Sequence, residues 1–151
     1  MRFLATLILV AFALPAAAQD IIIEDAYARV ARPGAPAGAA FFVIRNEAEE
    51  SDRLIGARTE FAAMAEVHTH IDAGNGVMQM RPVEGGLEIP AGGEHALERG
   101  GDHIMIMGLS ERFEEGDVLP LTLIFENAGE ISLDVIVDNE RGQGGHGSTG
   151  N

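Results

Sequence analysis

Apolar and polar positions alternate along this chain at short intervals, and no stretch sustains a helical period. Residues 21–23 lead into 26–30, a first strand or a pair of strands. Residues 32–38 hold Pro33, Gly34, Pro36 and Gly38, which break any regular element because proline removes donors and glycine loosens the backbone. The pattern predicts further strands over 41–46, 54–58, 67–71, 77–83, 87–89, 95–97, 102–107, 118–125 and 131–137. Turns carrying Gly, Asn or Asp separate them, Asn75-Gly76 being a strong reversal signal. Residues 61–64 read as a single helical turn. The result is a series of short strands at spacings of roughly 8–12 residues, the signature of an all-β antiparallel sandwich or barrel.

The two ends differ from this pattern. Residues 3–14 are an apolar run, broken only by Thr6, behind Arg2, followed by Pro15 and the small residues Ala16, Ala17 and Ala18. That is the layout of a cleaved bacterial export signal, residues 1–18, with Gln19 opening the mature chain in the periplasm. The run is shorter than the about 20 residues a spanning helix needs, so no stable membrane insertion is expected. Residues 139–151 are Gly-rich, lack large apolar side chains and read as a flexible tail. One domain, residues 19–138, lies between.

Composition narrows the function. With 24 acidic and 10 basic residues the formal net charge is −14, which disfavours nucleic acid and anionic membrane surfaces as partners. Hydrophobic residues reach 46%, too many for a disordered acidic chain. Cysteine is absent, which removes disulfides, thiolate metal sites, thiol nucleophiles and the strong ligand of blue-copper centres. A monomer is expected.

The informative chemistry is a clustering of His and Met. His68 and His70, Met78 and Met80, and then His103, Met105 and Met107 each stand two residues apart. On a strand such residues share a face. If Ile104 and Ile106 face the core, His103, Met105 and Met107 face outward. Thioether sulfur is soft and imidazole borderline, so mixed Met/His donors without carboxylate or thiolate suit Cu(I) far better than Zn, Mg or Ca. Methionine is also a common core filler, and that reading is taken for Met64 and left open for Met107. His95, between Gly pairs, is read as a surface residue. His146 on the tail is read as an incidental polar residue, an auxiliary Cu(II) ligand being the sharper alternative. For His68, Met80, His103 and Met105 together, packing alone is a poor account.

The residues 68–70, 76–93, 100–109 and 115–126 resemble the periplasmic copper chaperones called PCu(A)C, and the resemblance extends over roughly 21–137. That family's pattern is a His, often with a Met close by, about ten residues, a Met, about twenty-one residues, then His-x-Met. The resemblance implies His68, Met80, His103 and Met105 as ligands, with His70 and Met78 as auxiliaries. Eleven residues separate His68 from Met80 here and twenty-two separate Met80 from His103, and His70 stands where the family often has Met. The first departure fits one extra residue in the turn at 72–76. The extra imidazole leaves open which of His68 and His70 is the primary ligand, and could also favour Cu(II). The resemblance further implies a cupredoxin-like fold, a Cu(I) cargo, and delivery toward the dinuclear copper centre of cytochrome c oxidase, alone or with a Sco-type chaperone. It implies no catalysis. Two other readings compete: a small copper or zinc enzyme using His68, His70 and His103 with Glu66 or Asp102, and a metal-free β-sandwich scaffold.

Overall fold

Leu119, Leu121, Leu123 and Phe125 are buried, while Val118 and Pro120 between and before them are exposed. This period-two alternation curls a sheet around one apolar interior. The computed structural model describes residues 20–141; the expected leader, residues 1–18, and the tail from 142 onward with His146 lie outside them. The strands are β1 (Ile21–Val30), β2 (Ala37–Asn46), β3 (Asp52–Arg58), β4 (Ala62–Asp72), β5 (Met78–Pro82), β6 (Leu87–Ile89), β7 (Glu94–Leu97), β8 (His103–Leu109), β9 (Val118–Phe125) and β10 (Gly129–Val137).

Seven strands close on themselves in the order β4-β8-β2-β1-β10-β9-β3, with Ala57 of β3 pairing Ala65 of β4 to complete the ring. The all-β cupredoxin-like barrel expected from the sequence is the fold observed. One expectation changes. The sheet is antiparallel except where β1 meets β10, Tyr27 beside Ile136 and Ala28 beside Val137. A closed ring with an odd number of strands cannot alternate direction throughout, so one parallel pair is required. The three remaining strands extend the ring: β5 pairs β4, β6 pairs β3, and β7 pairs β2 along 42–45, beyond the stretch at 37–40 that β8 occupies.

Other local details also differ from the sequence pattern. The interruption near Asp25 is a bulge within one strand, with φ of 54° at that residue. The helical turn expected over 61–64 is absent. Residues from Ala62 onward pair with β8, Ala62 opposite Leu109, and sheet pairing overrides a weak local preference. The two shortest strands expected, β6 and β7, of three and four residues, form by finding partners along β3 and β2.

Two polar or backbone features pin the far side. The buried Asp52 carboxylate accepts the backbone N–H of Arg53 at 2.7 Å, Asn127 at 2.9 Å and Ala128 at 2.8 Å, tying β3 to the β9–β10 turn. Gly86 sits at φ +77°, and any Cβ there would collide with the Leu54 carbonyl oxygen. Only glycine admits the close approach that brings β6 onto β3.

Candidate metal centre

The register of β4 against β8 decides which side chains meet. Val67 lies opposite Ile104 and Ala65 opposite Ile106, and these face the interior, where both isoleucines are fully buried. The alternate residues therefore face outward: Met64 opposite Met107, Glu66 opposite Met105, His68 opposite His103. On the far side of β4, His70 lies opposite Met80 of β5. On the far side of β8, Ala39 and Ala37 of β2 lie opposite Met105 and Met107. The outward orientation expected for His103, Met105 and Met107 is what the strands adopt.

These outward residues border a cavity of about 420 Å³. His70, Met80, His103 and Met105 line it, together with Phe41, Arg29 and Arg99. Its floor is Ala37, Gly38 and Ala39, whose small side chains leave the space. No carboxylate lines it. A cation there would be held by lone pairs on nitrogen and sulfur, beside two guanidinium-bearing side chains. Among the described residues no three His, Asp or Glu side chains converge as a metal site, so thioether donors would have to complete one. A larger cleft of about 510 Å³, lined by Arg58, Phe61, Leu121 and Asp134 among others, contains neither imidazole nor thioether.

The imidazoles are held in place. His70 and His103 have ring centroids 5.2 Å apart, and His68 and His103 6.0 Å. Nδ1 of His70 lies 3.0 Å and Nδ1 of His103 3.1 Å from the carbonyl oxygen of Gly101. A carbonyl only accepts, so both rings must carry the proton on Nδ1, which leaves the Nε2 lone pairs for a metal. This is the arrangement that orients histidine ligands in metal sites generally. His103 is nearly inaccessible, 2% exposed, beneath Phe41 at a ring distance of 6.1 Å. Burial pushes its pKa below the ordinary histidine value, with the Gly101 hydrogen bond opposing and the neighbouring imidazoles adding to the shift.

His68 is placed differently. It does not line the cavity. Its Nε2 lies 3.2 Å from a Glu66 carboxylate oxygen, and its buried Nδ1 has no hydrogen-bond partner. Met78 stands on the same face of β5, opposite Asp72 and largely exposed, and it does not border the cavity either.

Two expectations are corrected. Met64 is 47% exposed rather than core, because the β4–β8 register turns it outward beside Met107, itself partly exposed. His95 is half-buried rather than free on the surface, with Nε2 2.8 Å from Asp102. That contact ties β7 to the far end of the β7–β8 loop, which carries the Gly101 carbonyl. The sequence offered small signals for the remaining features: the Ala37-Gly38-Ala39 run for the floor and Gly100-Gly101 for the loop. It offered none for Phe41 as the cover.

Comparison with known proteins agrees with this fold. The LpqE-like family model, described as "Putative lipoprotein LpqE-like", matches residues 21–137. A protein of Leifsonia xyli subsp. xyli named "Putative lipoprotein Lxx21020" is 30% identical over 136 residues, spanning 85% of this chain and 80% of that protein. A solution structure of CuI-DR1885 from Deinococcus radiodurans is 28% identical, with a TM-score of 0.62, covering 83% of this chain and 85% of that one. The copper-bound PCuAC domain from PmoF2 shares the fold with a TM-score of 0.64 at 24% identity, covering 79% of this chain and 92% of that domain.

Proposed function

This chain belongs to the LpqE-like family, and we propose that it is an exported copper chaperone that carries Cu(I) in the cavity between β4, β5, β8 and β2. One observation carries the reading: two imidazoles and two thioethers, His70, His103, Met80 and Met105, line one cavity that holds no carboxylate. Neutral soft donors suit a monovalent d10 ion, and copper is soft enough to be held without compensating charge. The copper-loaded relatives among the solved structures lend support. The ion is cargo, and the protein binds and releases it without catalysing a reaction.

The ligand set we assign is His70, Met80, His103 and Met105. A second reading puts His68 in place of His70, favoured by the unpartnered Nδ1 of His68 and by Glu66 on its other nitrogen. Met80 is 52% exposed, so an incoming ligand can reach the bound ion and displace donors stepwise. The destination we propose is the dinuclear copper centre of cytochrome c oxidase, directly or through a Sco-type chaperone. The site of action is the periplasm, reached through the leader at 1–18.

An anaerobic Cu(I) titration against a coloured competing chelator tests the binding. One tight equivalent is expected, and failure to compete overturns the copper reading. Mixing the Cu(I)-loaded protein with the soluble copper domain of the oxidase tests the destination. Copper should move to that domain, and retention by the chaperone would overturn the recipient while leaving copper binding intact.

A further inference from the structure

The outward face of β4 and β8 continues past the cavity, and what it carries there is a second set of thioethers. Met64 and Met107 are direct cross-strand partners. Such partners have Cβ atoms about 4.5–5.5 Å apart on the same face of the sheet. Met105 stands one step along β8 on that face, roughly 7 Å from Met107 at the strand rise. Met64 is 47% exposed, and Met107 is flanked on its other side by Ala37, whose short side chain leaves the approach open. No imidazole stands in the Met64–Met107 row.

An exposed methionine by itself is ordinary. Two in direct register, with a third beside them, place three sulfurs on one patch. Methionine is unbranched, and its sulfur can swing toward a neighbour at little conformational cost. Thioethers alone discriminate strongly for soft monovalent cations and bind Zn or Ca poorly.

We propose that Met64 and Met107, with Met105 shared from the cavity, form a second site for a soft d10 cation, Cu(I) or Ag(I), at the outer edge of the β4–β8 pair. The inference deepens the copper reading and rests on it, since Met105 belongs to both sites. The second site is the weaker, having fewer donors and more water. It gives the ion a stepping position outside the cavity. Met107 and Met64 replace the imidazoles and Met80 one donor at a time, the copper stays Cu(I), and no electron or proton is exchanged.

The test is a titration of the full chain, labelled with ¹³C-methyl methionine, with Ag(I) up to two equivalents. The first equivalent should shift the Met80 and Met105 methyl resonances. The second should shift Met64 and Met107. In the M64L/M107L variant the second event should be lost and the first retained; both positions are at the surface, so the fold tolerates leucine. Met64 and Met107 resonances that stay put while Met80 and Met105 move would overturn the second site and leave the chaperone reading standing. Met64 and Met107 moving while Met80 and Met105 stay put would overturn both the cavity reading and the sharing of Met105 with the second site. Retention of two equivalents by the variant would overturn the assignment of the pair.

Discussion

His70 and His103 share one acceptor, the carbonyl oxygen of Gly101, at 3.0 and 3.1 Å from their Nδ1 atoms. One backbone atom thereby sets the tautomer and aim of two rings on different strands. The rings come pre-oriented, so a metal arriving there orders little that is not already ordered.

Replacing His103 or His70 with Ala should therefore cut Cu(I) affinity by at least the roughly 10–100-fold that loss of a supporting group alone produces at metal sites. His68→Leu should behave otherwise. The buried Nδ1 of His68 lacks a partner, and an unsatisfied buried polar atom costs about 1–3 kcal/mol. Leucine removes that cost, so the thermal midpoint should hold or rise while Cu(I) binding persists. Competition titrations and melts on the three variants decide it; loss of binding in His68→Leu transfers the ligand role to that residue.

Acid should weaken the metal-free protein partly through His103. Burial holds its folded pKa below the ordinary value of 6.5. Above that pH the ring is neutral in both states and contributes no pH dependence. As pH falls from about 6.5 through the folded value, the unfolded chain takes up a proton that the folded chain refuses, so stability declines. Denaturant midpoints at pH 7.5 and 5.0 should therefore drop more for the unaltered protein than for His103→Gln. Equal drops would show that His103 is not the residue responsible.

Asp52 tests the frame rather than the site. Its carboxylate is the common acceptor for three backbone N–H groups, two of them in the turn before β10. Asp52→Ala leaves those donors short of partners and should cost about 2–4 kcal/mol. Copper affinity per folded molecule should not change, because the site is built on the β4–β8–β2 side of the ring. A denaturation curve and a Cu(I) competition on the same sample separate the two effects.

Much of this was legible in the sequence, for identifiable reasons. The alternation of His103, Met105 and Met107 with Ile104 and Ile106 fixes a face locally, so its outward direction could be read from five residues. Met64 could not be placed in that way. Its face depends on pairing with Met107, forty-three positions away in the chain, and a lone methionine carries no mark of register. His68 and His70 have the same parity, so alternation cannot rank them. What distinguishes them in the structure is the partner each acquires, His103 for the first and Met80 for the second. The Gly101 carbonyl is a backbone group and leaves no sequence signal beyond a glycine pair.

Sulfur itself can be isolated at Met80 and Met105. Leucine matches methionine closely in volume and apolar character, and such exchanges usually cost less than about 1.5 kcal/mol even in cores. Met80 is exposed and Met105 partly so, which lowers the cost further. The M80L/M105L variant should keep the fold and the His70–Gly101–His103 arrangement while losing both thioethers. What remains is a pair of borderline nitrogen donors, a set better suited to Cu(II) than to Cu(I). Cu(I) affinity should therefore collapse while Cu(II) affinity changes little, reversing the preference expected of the unaltered protein. Met78→Leu, on the same strand but outside the cavity, should change neither. Competition titrations in both oxidation states read the ratio directly, and an unchanged preference in the double variant would mean that the thioethers lining this cavity are not what holds the ion.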